Sequence, residues 1–303
     1  MKSFGVLLVL ASPLSLLAQP ASSAALEALG RQDLTGQGTF HRIGLMRLQE
    51  DTVAVLGKIK ERVSGQVRAN TMLFASDNIF NTPDAEVADQ QLAEFIGASV
   101  KVKFLEELTL NTSYDFAFFR HNDDANSGSD FDTRTFRQQL NYETSILAGK
   151  VAVGIPLTWQ HSQVFAAGEN DALAKTWTYG SGVELTWFRS SRVLPTFSYN
   201  YFLSDPKIGA GKHKHDFNLG VTFIPLTGTR LFISPSVQYS HEDFKKSERT
   251  DDAWTPTLAV SWGPLSFFAI DAVASYTDSR SSNAAAEFEA LTGTLFARLF
   301  WKW

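Results

Sequence analysis

From about residue 64 onward, apolar and polar positions take turns along the chain with a period of two. In the clearest stretch, Leu108, Leu110, Thr112, Tyr114, Phe116 and Phe118 interleave with Thr109, Asn111, Ser113, Asp115 and Ala117. An extended segment with that order has one apolar and one polar face. Ile96, Ala98, Val100, Val102 and Phe104 alternate in the same way with Gly97, Ser99, Lys101 and Lys103. The pattern recurs to the end of the chain and predicts twelve strands, over 64–80, 92–104, 106–120, 133–147, 149–165, 175–188, 192–204, 215–225, 229–243, 253–263, 265–278 and 288–303. Pro156, Pro195, Pro225, Pro235 and Pro256 fall within or at the ends of these strands. Each lacks the N–H that a strand ladder uses, which predicts that they sit at rims or bulges.

Strand length separates two all-β classes. At ~3.3 Å per residue and a tilt of ~45°, segments of this length span roughly 25–40 Å, enough for the ~25 Å apolar band of an outer-membrane barrel. Strands of soluble sandwiches average only about five or six residues. The connections sort by parity as well. "NTPDAEVADQQ", "HNDDANSGSDFD", "AAGENDALAK", "DPKIGAGKHKH", "EDFKKSERTDD" and "SRSSNAAAEF" are long and polar, whereas "LEE", "LAGK", "RSSR", "PLTG" and "GPLS" are short. Short periplasmic turns alternating with longer extracellular loops are the habit of outer-membrane barrels, and they put both termini on the periplasmic side. In lipid an open sheet edge leaves unpaired N–H and C=O groups costing several kcal/mol each, so the strands must close. Trp159, Trp187, Trp254, Trp262, Trp301 and Trp303 lie near strand ends, where an indole buries its ring and keeps its N–H wet.

Composition fits this architecture. At 44% hydrophobic residues the chain is too polar for a bundle of membrane helices, as expected when only alternate strand residues face lipid. A formal net charge of −5 without a long basic run argues against nucleic acid as a partner. The absence of cysteine excludes disulfides, thiolate metal sites and a cysteine nucleophile. At the N-terminus Lys2 precedes the apolar run "FGVLLVLASPLSLLA", the layout of a secretory signal peptide over 1–18, with cleavage after Ala18 or as late as Ala24. Residues 25–63 mix helical and alternating spacing; a short periplasmic helix, a plug segment and a further strand pair all fit. The barrel is expected over 64–303.

The secretory leader, the loop parity and the terminal "LFARLFWKW" resemble Gram-negative outer-membrane β-barrel proteins, whose last strand carries a terminal aromatic and alternating apolar residues that the barrel assembly machinery reads. Leu299, Trp301 and Trp303 match that signal, with Leu295 upstream and Ala297 a small substitute. "FASDNIFNT", residues 74–82, is similar to the Asp-Asn-(Ile/Val)-Phe stretch ending the first strand in β-barrel porin families. The resemblance implies an outer-membrane location, a barrel with a transport role, and outer-membrane lipid and lipopolysaccharide as surroundings.

Enzyme chemistry finds little support. His161 and Ser162 invite comparison with an outer-membrane phospholipase, but neighbours on a strand point to opposite faces. The group His121, Asp123, Asp124, Asp130 and Asp132 matches no metal-loop spacing and reads as solvated surface. In "KHKHD", His213 and His215 have the spacing for one strand face but lack an evident third ligand, and His241, Glu242 and Asp243 read as a loop rim. No cofactor is expected. The polar face is more informative: Arg68, Lys101, Lys103, Asp115, Arg137, Glu143, Glu184, Asp271, Arg298 and Lys302 are the expected lumen-lining charges. Among the later strands Asn218, Gly220, Thr222, Ser234, Ser236, Thr255, Thr257, Ser261 and Ser275 leave room for water between them. The expected function is a porin-like channel for small hydrophilic solutes or ions. The alternatives are a non-conducting structural or surface-interaction barrel and, third, an outer-membrane hydrolase.

Overall fold

The computed structural model describes residues 62–302 apart from 79–87, 124–126, 128–129, 148–149, 189, 191, 207–210, 226–229 and 246–247. The expected leader, nearly all of segment 25–63, and Trp303 lie outside the described residues. Twelve strands follow in order: β1 (Val63–Ser76), β2 (Asp89–Lys103), β3 (Leu108–His121), β4 (Phe131–Ile146), β5 (Val151–Ala166), β6 (Ala172–Trp187), β7 (Val193–Pro206), β8 (Lys212–Phe223), β9 (Leu231–Phe244), β10 (Thr250–Leu265), β11 (Phe268–Ser281) and β12 (Phe288–Lys302). Each pairs with its sequence neighbours, and β1 pairs antiparallel with β12 from Gln66 opposite Lys302 to Ser76 opposite Thr292, which closes the barrel. The expected closed antiparallel barrel of about twelve strands is what the chain forms.

Burial follows the pleat. On β2, Gln91, Ala93, Phe95 and Gly97 are buried while Leu92, Glu94, Ile96 and Ala98 between them are exposed. The exposed set over the whole barrel is apolar through the middle of the strands, with Val67, Ile96, Leu157, Leu219, Leu258 and Leu295 all open on the outside. A soluble protein would hide such a surface; lipid covers it here, and closure of the sheet pairs the strand edges that lipid could not satisfy.

Two expectations change in detail. The prolines Pro156, Pro235 and Pro256 are not at rims. Each keeps its place in the ladder on one flank, opposite Asn141, Leu258 and Val237 respectively. On the other flank the pairing skips over the proline and resumes in the same register, as from Gly154–Glu184 to Leu157–Ser181. A ring without N–H thus costs one rung and no bulge. The loop parity is also blunter than the sequence suggested: connections at 167–171 and 245–249 are no longer than the 188–192 turn at the other end. Lys212, His213 and Lys214, read as loop, instead belong to β8 and continue it past the apolar belt, and "HED", read as a loop rim, is the end of β9.

Candidate functional site: the barrel interior

The inward set starts from a buried ion pair that crosses three strands. Arg68 on β1 stands opposite Gly97 on β2, and Gly97 opposite Asp115 on β3. Arg68 Nε donates to Asp115 Oδ1 at 3.0 Å over the glycine, with only 5% and 4% of the two residues exposed. A Cβ built at Gly97 would lie 1.8 Å from Asp115 Oδ1, so the glycine is the space through which the pair meets. A second pair links β11 and β12: Arg298 Nη2 donates to Asp271 Oδ1 at 2.8 Å, and Arg298 Nε rests against the other carboxylate oxygen. Between β4 and β5, Arg137 Nε donates to Gln160 Oε1 at 2.8 Å, and Gln160 Nε2 donates to Ser162 Oγ at 2.9 Å.

The remaining candidates stand toward the end where β1 begins and β12 finishes, hereafter the terminal end. Glu143 and Glu184 flank Gly154 on the same inward row, half-buried. Lys101 and Lys103 occupy the last inward positions of β2 and are exposed. Thus the structure joins Arg68 to Asp115 and Arg298 to Asp271, sets Arg137 in a polar network, and leaves Lys101, Lys103, Glu143 and Glu184 around the terminal mouth; the side chain of Lys302 is not among those described. Leu299 and Trp301 are on the outward row of β12, Trp301 being 77% exposed.

Two features of the interior escaped the sequence reading. The first is a charged wall on β8 and β9 at the opposite, loop end. Lys212 Nζ donates to Glu242 Oε2 at 2.7 Å, while Lys214 Nζ lies 3.2 Å from Asp216 and 3.8 Å from Glu242. Ser240 Oγ donates to Asp216 Oδ1 at 2.6 Å. Next to this wall, Arg249 Nε and Ser281 Oγ both donate to Asp251 Oδ1, at 2.9 and 2.6 Å. The signal was available: Lys212, Lys214 and Asp216 are two apart, which is strand spacing. It puts His213 and His215 outward instead, where their Nδ1 atoms lie 2.5 and 3.0 Å from the hydroxyls of Tyr201 and Tyr199.

The second feature is an apolar stretch of the inward face. Toward the loop end, the inward rows of β1 to β5 turn apolar, and Met72, Phe95, Phe119, Phe131 and Val164 form a buried cluster with Phe74 and Phe296 packed against it. Phe119 and Phe131 stack with centroids 4.4 Å apart, and Phe95 meets Phe119 edge-on at 5.7 Å. Phe119 continues the row of Ser113, Asp115 and Ala117. The polar half of that row was legible, and the switch to apolar residues lay at the predicted strand end. His161 and Ser162 separate as expected: Ser162 is buried inward, and His161 stacks outward on Trp177 at 4.0 Å. Among the described residues no group of three or more His, Cys, Asp or Glu side chains is placed to hold a metal ion.

The architecture has a counterpart among solved structures. An outer-membrane channel from Pseudomonas putida is similar with a TM-score of 0.53 at 11% identity, over 80% of this chain and 97% of that one. The two share the fold of a closed antiparallel β-barrel. The NanC porin (TM-score 0.46, 10% identity, 77% of this chain and 98% of that one) and the outer membrane protein OmpT of Vibrio cholerae (0.43, 10%, 80% and 99%) are more distant likenesses. No protein-family model matches the chain, and no curated protein matches it in sequence.

Proposed function

We propose that the barrel is a channel that lets small hydrophilic solutes or ions cross the outer membrane through its interior. The observation that carries this reading is the inward face of β7 to β11. There, Ser198, Asn218, Thr222, Ser234 and Ser261 present short, buried polar side chains below the paired charges of β8 and β9, and Ser279 does so in register with them. A barrel needing only stability has no use for such a wall, because apolar packing would fill it at lower desolvation cost. The likeness to an outer-membrane channel supports the same reading.

Purified protein in a planar lipid bilayer should produce discrete current steps; bilayers that stay closed over many insertions would sink the channel. The aromatic cluster opposite the polar wall favours a second reading, a barrel too narrow to conduct at rest, since an apolar constriction gates by dewetting. The two separate cleanly with Phe119→Ala. Removing that ring from a conducting barrel should raise the step size, and a variant that opens a silent wild type would favour the gated reading. In cells, we infer that Leu299, Trp301 and Trp303 are read by the barrel assembly machinery during insertion.

A further inference from the structure

The outer face carries an ordered polar feature that neither packing nor conduction uses. On β6 the apolar belt runs from Trp177 to Trp187, which at ~3.3 Å per residue and ~45° tilt is roughly 23 Å, the height of a membrane's apolar band. One outward step above Trp177 stands Lys175. Gln163 of β5 lies opposite Lys175, and Arg134 of β4 opposite Gln163, so three hydrogen-bond donors form a row across adjacent strands. At ~4.8 Å between strands the row spans roughly 10 Å. The two longest connections, 77–88 and 122–130, leave the barrel at this end, and long connections are the extracellular ones in such barrels, which places the row at the headgroup level of the outer leaflet.

The two cations in this row differ from the outward-facing arginines elsewhere toward the loop end. Arg120 is taken up by Asp132 at 2.7 Å, and on the far side of the barrel Arg280 lies 2.8 Å from Asp278 and 3.0 Å from Glu289. Arg134 instead has aromatic partners, its guanidinium standing 4.4 Å from the Phe165 ring centre and 5.9 Å from that of Phe116. Among the described residues no carboxylate pairs with Arg134 or Lys175. Contact with the two rings holds the guanidinium without using its N–H groups, which suits a phosphate contact. Directly beneath, Phe136, Trp159 and Trp177 form a run of packed rings, with Trp159 and Trp177 stacked at 5.2 Å, a surface for acyl chains.

We propose that Arg134, Gln163 and Lys175 form a binding site for the phosphorylated headgroup of lipid A, the lipopolysaccharide anchor of the outer leaflet, whose chains lie along the aromatic surface below. The site is independent of whether the interior conducts. It is tested with full-length protein folded into phosphatidylcholine vesicles carrying bisphosphorylated lipid A, carrying dephosphorylated lipid A, or lacking both but supplied with inorganic phosphate. The readouts are lipid A molecules retained per barrel and the urea midpoint of unfolding. Bisphosphorylated lipid A should be retained and raise the midpoint. Arg134→Gln/Lys175→Gln should weaken retention about thirtyfold and Lys175→Gln alone about fivefold, in line with ~1 kcal/mol per basic side chain at an anionic surface. Arg280→Gln, equal in charge change but removing a paired cation, should bind like wild type. Heat-modifiable gel mobility establishes that each variant is folded, and the single variant carries the test if the double one is not. Wild-type retention by the folded variants, equal binding of dephosphorylated lipid A, or the same stabilisation by inorganic phosphate alone would each overturn the site.

Discussion

Gly97→Val is expected to destabilise the folded barrel by about 3–5 kcal/mol, the cost of breaking a buried ion pair by displacing one partner. The valine Cβ would fall 1.8 Å from Asp115 Oδ1, 2.9 Å from Asp115 Cγ and 3.2 Å from Arg68 Nε. Asp115 is too short to reach Arg68 by another route, since the two sit on strands separated by the whole width of β2. It must swing away and leave a guanidinium, 5% exposed, without its carboxylate. The check is the urea midpoint in lipid vesicles, read as a double-mutant cycle. On an Arg68→Leu/Asp115→Leu background the valine should cost less than about 1.5 kcal/mol, as a volume change in a site already rebuilt. An equal loss in both backgrounds would show that the glycine serves the backbone alone and not the ion pair.

How much of this was legible follows from where alternation is unbroken. Leu108 to Phe118 reads the same in sequence and in structure because lipid takes one face and the interior takes the other, so the period of two survives translation into composition. Chain closure was legible for a different reason, since twelve long strands in lipid have no other way to satisfy their edges. Polar composition misleads where a strand runs on beyond the lipid belt, as at the start of β8. "KHKHD" is strand because Lys212, Lys214 and Asp216 neutralise one another and Glu242 inside, while His213 and His215 rest on tyrosines outside. Nor does a sequence show that Gly97 stands between Arg68 and Asp115. That depends on the register of three strands, and a one-residue slip would send the two charges to opposite faces. The row Arg134, Gln163 and Lys175 is invisible for the same reason, as its members are spread over three strands and share only a level.

Deleting residues 299–303 is expected to abolish the folded barrel altogether, both in cells and in purified lipid. Residues at the end of β12 cover both neighbouring strands: Leu299 opposes Ala69 and Phe268, Phe300 opposes Arg68, Trp301 opposes Val67 and Lys302 opposes Gln66. The Phe300 N–H also donates to the Phe267 carbonyl at 3.0 Å. Without them the first strand presents an open edge from Gln66 to Ala69, and each backbone group stranded in hydrocarbon costs several kcal/mol, more than the stability a domain has to lose. Heat-modifiable mobility of protein refolded into vesicles should therefore show no folded band. The proposed assembly signal makes a different demand, and Trp303→Ser isolates it. That variant keeps every rung just described, so it should refold in vesicles with wild-type yield yet accumulate outside the outer membrane in cells. Poor refolding in vesicles would assign Trp303 to closure, and normal insertion in cells would remove it from the signal. Only the split between the two settings makes the end of the chain both the last rung of the sheet and the address by which the sheet is delivered.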